Sequence, residues 1–324
     1  MKKLLTLALS LALAVTAAGC SSKEEAKKEE TSKKYTVGVC QFVQHPALDS
    51  ATEGFKDALV DKLGEDGVVF DEQNASGDSV NCSTIVNSFV SKNVDLIMAN
   101  ATPALQAAAA GTTTIPILGT SVTEYGVALE ISDFSGTVGG NISGTSDLAP
   151  LDQQAQLILD LFPETKTVGL LYCSAEPNSA YQVKIVKEEL EKKGVKCTEY
   201  AFSDANDIAA VCTTACSASD VIYVPTDNTA ASSAGIIDGI CRPAKVPVIA
   251  GEEGICKGCG VASLTISYYD IGYKTGEMAA AILAEGKDIS EMPIEYAPEI
   301  TKKYNAEICA ELGVKVPEDF VAVE

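Results

Sequence analysis

One order of strand-like and helix-like stretches occurs twice in this chain. The first half opens on YTVGVCQF at Tyr35 and continues through a helical HPALDSATEGFKDALVDKLG, a strand-like GVVFDEQ and a helical STIVNSFVSKN. It closes with the strand DLIMAN, a helix from Thr102, and TIPILGT. The second half repeats the types in order: KTVGLLYC, NSAYQVKIVKEELEKKG, KCTEYAFS, DIAAVCTTACSAS, DVIYVPT, a helix from about Asn228, and KVPVIAGE. Strands that alternate with helices imply parallel sheets wound on both faces. The strand stretches carry no polar alternation, as expected where helices cover both sides. In the helices, Leu48, Ala51, Phe55 and Leu59 fall on one stripe, as do Val183, Val186 and Leu190, and Gly194 supplies a stop.

Between the halves lies SGTVGGNISGTSD, rich in glycine and short polar residues, which reads as a crossing segment. After SLTISYYD a further helix, IGYKTGEMAAAILAEG, has no counterpart in the second half and is expected to return to the first lobe. The tail from about Glu295 then crosses back. The fold class is therefore α/β, two Rossmann-like lobes joined by several crossings that make a hinge with a cleft beside it. The expected boundaries are residues 35–145 with 268–294 for the first lobe, and 146–267 with 295–324 for the second.

The first twenty residues concern location. Lys2 and Lys3 precede an apolar stretch from Leu4 to Val15, and Ala17-Ala18-Gly19-Cys20 follows. A charged head, a short apolar body and a small-residue cut site make a secretory signal over 1–20. The apolar run is too short for a good stop-transfer helix. Residues 21–34, mostly lysine, glutamate and serine, have almost nothing to bury and are expected to form a flexible linker. The formal net charge is −21, and −23 once Lys2 and Lys3 leave with the signal. Such an acidic chain repels nucleic acid and anionic lipid. The lack of tryptophan argues mildly against sugar binding.

Ten cysteines remain when Cys20 is set aside. Cys256-x-x-Cys259 and Cys212-x-x-x-Cys216 are the close pairs, and the single histidine, His45, is far from both. Zinc usually takes two such pairs or histidines, so no metal site is expected, and disulfides or buried idle thiols are the readings that remain. With one histidine, any Ser-His or Cys-His pairing must use His45, and no phosphate-binding glycine motif follows the first strand. Neither an enzyme nor a cofactor is expected.

In open α/β sheets the ligand sits off the carboxyl ends of the strands. The corners there are Gln41-Phe42 to His45-Pro46, Asn100 to Thr102, and Thr120 to Thr123, with Ser121, in the first half. In the second half they are Ser174 to Ser179, with Glu176 and Asn178, Thr226 to Asn228, with Asp227, and Gly251 to Glu253, with Glu252. Thr102 stands where an N-cap is expected, with Pro103 at the first helical position. The amides beyond it suit a carboxylate, although Thr102 alone serves equally as a cap for its own helix. Glu176, Asp227 and Glu252 want a cation, and no lysine or arginine occurs in these corners. A zwitterion meets both demands, its carboxylate on helix N-termini and its ammonium on Asp227 or Glu176. His45 has a second reading as a helix-start cap.

The blocks GVCQFVQHPALDSATEGF, DLIMANATPALQAA, NISGTSD, EPNSAYQ, VIYVPTDNTAASS, VIAGEEG and YYDIGYKTGEMA together resemble the substrate-binding lipoproteins of ABC importers for aromatic amino acids, the tryptophan/tyrosine type. The resemblance covers nearly everything from Tyr35 onward. It implies the type I periplasmic-binding fold with three crossings, a lipidated Cys20, and permease and ATPase partners. It also implies a place on the outer face of the bacterial cytoplasmic membrane, or in the periplasm if the cell is Gram-negative. Thr102, Ser121, Thr123, Glu176, Asn178, Ser179, Asp227 and Asn228 would line the cleft, with Phe42 and His45 nearby. Where that family tends to show aspartate and proline after Val122-Thr123, this chain has Glu124-Tyr125-Gly126, so this loop is expected to shape the pocket differently. A nucleoside, a sugar or another small organic molecule as cargo, or a sensing role, stays open within the same fold.

Overall fold

A computed structural model describes residues 34–323; the expected signal peptide, Cys20 and the expected linker up to Lys33 lie outside the described residues. The first half folds as β1 (Tyr35–Gln41), α1 (Pro46–Leu63), β2 (Val68–Asn74), α2 (Ser79–Lys92), β3 (Leu96–Asn100), α3 (Thr102–Gly111), β4 (Ile117–Val122), α4 (Tyr125–Ala128) and β5 (Ile142–Ser146). The second half follows as α5 (Leu151–Leu161), β6 (Thr167–Cys173), α6 (Pro177–Lys192), β7 (Lys196–Phe202), α7 (Ile208–Cys216) and β8 (Val221–Val224). It continues through α8 (Asn228–Ser232), α9 (Ala234–Ala244), β9 (Val248–Ala250), α10 (Glu253–Cys259) and β10 (Ala262–Thr265). The tail adds α11 (Tyr268–Glu285), β11 (Glu295–Tyr296), β12 (Thr301–Tyr304), α12 (Ala306–Leu312) and β13 (Val321–Ala322).

Two sheets result. The first has the order β11-β5-β4-β3-β1-β2 and is parallel throughout. The second has the order β13-β12-β10-β9-β8-β6-β7, parallel except where β12 runs against β10. The chain passes between the sheets three times, after β5, after β10 and after β11. In each sheet the strand order reverses once at the centre, between β1 and β3 and between β6 and β8. These switch points are where open α/β sheets leave a crevice.

Helix α11 returns to the first lobe and lies along α1. The two backbones touch because glycines face backbone atoms. A Cβ on Gly272 would stand 2.0 Å from the Ala51 carbonyl oxygen, and one on Gly54 2.2 Å from that of Tyr269. Against the expectation that everything from Glu295 belongs to the second lobe, Glu295 and Tyr296 pair in parallel with Thr145 and Ser146 of the first sheet. The last crossing therefore lies between Tyr296 and Thr301. The helix expected from Asn228 is also broken, into a five-residue α8 and a separate α9.

Candidate functional site

The two central corners of the first lobe carry unusual backbone. Ala101, between β3 and α3, sits at φ 90° and ψ 158°, a region populated almost only by glycine and costing about 1–3 kcal/mol for other residues. Ser121, at the end of β4, sits at φ 54° beside a register shift in the β4–β5 pairing. Ala101, not Thr102, is the N-cap; Thr102 and Pro103 are the first and second helical residues. The correction follows from the Ala101 conformation, which lets the helix begin one residue earlier. No side chain caps α3, and Pro103 has no N–H, so its first donors are the amides of Thr102 and Ala104. Ser121 Oγ is buried with no hydrogen-bond partner.

The second lobe supplies acids. Glu176 Oε2 accepts from the Asn228 amide at 3.0 Å and from Asn228 Nδ2 at 2.6 Å, and Oε1 accepts from the Thr229 amide at 2.9 Å and its hydroxyl at 2.8 Å. Glu176 thereby ties the corner after β6 to the corner after β8. Asp227 caps α8 through the Ala230 amide and accepts from the Cys173 amide at 2.6 Å. Burial, reinforced by the Glu176 charge, pushes the Asp227 carboxyl up to about 8. Among the described residues no lysine or arginine pairs with either acid. Asn178 donates to Thr226 O at 3.1 Å and also reaches Glu176 and Ser179, while its Oδ1 is buried without a partner.

The lobes meet through His45 and Asn228. His45 takes the N-cap position of α1 but makes no capping bond; its Nε2 lies 3.3 Å from Asn228 Oδ1 of the other lobe. Burial outweighs the nearby Glu176 and Asp49 charges and holds the His45 ring below its ordinary pKa. Phe42 joins the apolar cluster of the first lobe, and the Thr123 carbonyl accepts from the Ser146 hydroxyl at 2.8 Å.

Two expected site residues are hydrogen-bonded within their own lobe, although Asn100 Oδ1 is buried without a partner. Asn100 donates to Leu48 O and Thr52 Oγ1, which ties β3 to α1. Glu252 caps α10 by accepting from the amides of Gly254 and Ile255, and burial raises its carboxyl to about 7. Glu252 also lines a cavity of about 360 Å³ beside the hinge, with Pro46, Ser50, Lys257 and Tyr268.

The loop Glu124-Tyr125-Gly126 turns inward. Glu124 caps α4, and Tyr125 is fully buried with its hydroxyl donating to Thr145 O at 3.0 Å. A Cβ on Gly119 or Gly144 would stand 2.4 Å from that hydroxyl, so the two glycines make the room. Tyr125 thus fills the first lobe beneath the sheet ends. Sequence reasoning passed over Asp147, whose Oδ2 accepts from the Tyr268 hydroxyl at 2.9 Å while Oδ1 is buried without a partner. Its signal was present: it is the acid that ends NISGTSD.

Twin sheets joined by three crossings, with His45 of one lobe against Asn228 of the other, define a bilobal solute-binding protein with the type I periplasmic-binding fold. The chain belongs to the ABC transporter substrate binding protein family, whose pattern it matches over residues 36–323. It is 36% identical over 302 residues to a tyrosine-binding protein of Clostridioides difficile, covering 90% of this chain and 87% of that one. It superposes with a TM-score of 0.84 on an L-Trp complex from Streptococcus pneumonia, at 33% identity and covering 88% of this chain and 97% of that one. Against the ligand-free, open structure of a substrate-binding protein with adhesive properties from Clostridium difficile, identity is 37% over 90% of this chain and 99% of that one, yet the TM-score is 0.68.

Proposed function

We propose that this chain captures an amino acid with an aromatic side chain between its lobes and presents it to the permease and ATPase of an ABC importer. The observation that carries the reading is the buried pair Glu176 and Asp227, held by neutral donors and paired with no cation among the described residues. An ammonium supplies the missing charge, and charge-assisted bonds of this kind contribute about 1.5–3 kcal/mol each. The uncapped N-terminus of α3, with Thr102 and the unpartnered Ser121 hydroxyl, suits the carboxylate end. The tyrosine-binding relative and the L-Trp complex support an aromatic side chain. Thr123, Asn178, Ser179 and Asn228 complete the walls, with Phe42 and His45 at the first-lobe corner; Asn100 and Glu252 act by holding those corners. Cys20 carries the lipid that keeps the protein on the outer face of the membrane, since two or more acyl chains anchor stably.

A thermal-shift panel of amino acids, nucleosides and sugars tests this. Tyrosine or tryptophan is expected to raise the melting temperature in proportion to ligand excess. A shift with uridine or glucose and with no amino acid overturns it. In calorimetry Asp227→Ala is expected to weaken binding at least tenfold, about 1.4 kcal/mol. Thr102→Ala is expected to weaken it less, because the backbone donors survive; an unchanged affinity in Asp227→Ala removes that residue from the ammonium role.

A further inference from the structure

Three cysteines meet at the end of the second lobe away from the strand-end corners. Cys212 and Cys216 stand four residues apart on α7 and so share one face. α9 packs on α7 and brings Cys241 between them, with sulfur–sulfur distances of 3.5 Å to Cys212 and 3.3 Å to Cys216. All three sulfurs lie within 4.8 Å of one another, and none is in a disulfide. Cys216 ends α7 on the side that leads into the start of β8, the opposite end of the sheet from Asp227. Cys212 and Cys241 are buried among Ile208, Ala215, Ile237 and Val246, while Cys216 is half-buried and gives access from solvent.

We propose that Cys212, Cys216 and Cys241 form a site for one thiophilic closed-shell cation, Zn(II) or Cu(I), separate from the amino-acid site. Thiolates select these soft ions, and the absence of carboxylate or imidazole from the trio rejects magnesium and calcium. Zinc–sulfur bonds of about 2.3 Å in a tetrahedron set sulfurs about 3.8 Å apart, so Cys241 needs to move only a few tenths of an ångström away from each neighbour. Copper(I) is satisfied by three sulfurs, whereas zinc takes a fourth ligand from solvent at the Cys216 side. Each thiol that ligates gives up its proton, so loading releases up to three protons to solvent without oxidation. The bound ion staples α7 to α9.

The test uses the exported chain, reduced, freed of reductant and kept anaerobic, titrated with Zn(II) against a chromophoric chelator and with Cu(I) against bicinchoninate. One equivalent of one ion or the other is expected, with a rise in melting temperature. Both are expected to be lost in Cys216→Ser/Cys241→Ser and kept in Cys256→Ser/Cys259→Ser, with tyrosine affinity unchanged in each. Cys216→Ala, at the half-buried position, supplies the same comparison should the double variant fail to fold. Saturable binding of neither ion overturns the proposal, as does wild-type binding in the variants that lack Cys216. A disulfide from Cys241 to either neighbour that survives mild reduction, read by mass spectrometry, overturns it as well.

Discussion

Asp227 does two jobs that pull in different directions. Its oxygens cap α8 and hold the Cys173 amide, yet burial and the Glu176 charge push its carboxyl up to about 8, while burial pushes that of Glu252 up to about 7. A group whose folded pKa lies above its unfolded value stabilises the fold fully only below the unfolded pKa, about 4 for these acids. That contribution is lost as pH rises through the folded values. The ligand-free, closed protein is therefore expected to lose thermal stability between about pH 4 and pH 8. Asp227→Asn is expected to flatten the upper part of the loss, and a melting profile parallel to that of the parent contradicts the assignment. An ammonium beside Asp227 favours its charged form, so binding near pH 7 is expected to release a proton, read by calorimetry in buffers of different ionisation enthalpy. Ala101 makes a separate demand. A β-branched side chain at its positive φ is strained and crowds a fully buried position, so Ala101→Val is expected to destabilise by about 2 kcal/mol or more, measured by urea unfolding.

At the scale of elements, the chemical character of each corner was legible and its wiring was not. Glu176, Asn178, Ser179, Asp227 and Asn228 were placed at strand ends by the strand-helix alternation, and all but Asp227 form one hydrogen-bonded group. Asn100 looked the same in sequence but is drawn to α1, because Thr52 and the Leu48 carbonyl stand opposite it only after β3 and α1 have packed. Thr102 read as a cap because Thr-Pro favours one; the Ala101 conformation, which no propensity favours, moved the helix start. The α1–α11 contact is of the same kind, since its glycines are separated by more than two hundred residues. Gly272→Ala is expected to force the two helices apart and to destabilise by about 1–3 kcal/mol, as overpacking does. An unchanged denaturation midpoint refutes that close approach.

For the whole molecule, the His45–Asn228 contact makes closure a matter of buried polar pairing between lobes. His45 is held below its ordinary pKa, so protonation favours its exposure. Stability of the closed form is present above about pH 6.5 and is lost as pH falls through the lower, folded value. His45→Ala is expected to remove that acid-side dependence from ligand affinity, and an affinity profile unchanged below pH 6.5 refutes it. Cys20→Ser is expected to release the protein from the membrane fraction without altering tyrosine affinity, checked by fractionation and calorimetry. Among the described residues no helix is long and apolar enough to cross a membrane.

By itself the sequence determined the two-fold repeat of strand and helix, the helix that returns to the first half, and the polar character of the corners. These follow from local periodicity and glycine punctuation, which residues a few positions apart decide. Tertiary structure alone decided which acids keep their protons, which amides stay unpaired, and where Tyr125 goes. It also joined β11 to the first sheet and brought Cys241 between Cys212 and Cys216. Each of those depends on groups brought together by packing across tens to hundreds of residues, and no local pattern records such meetings.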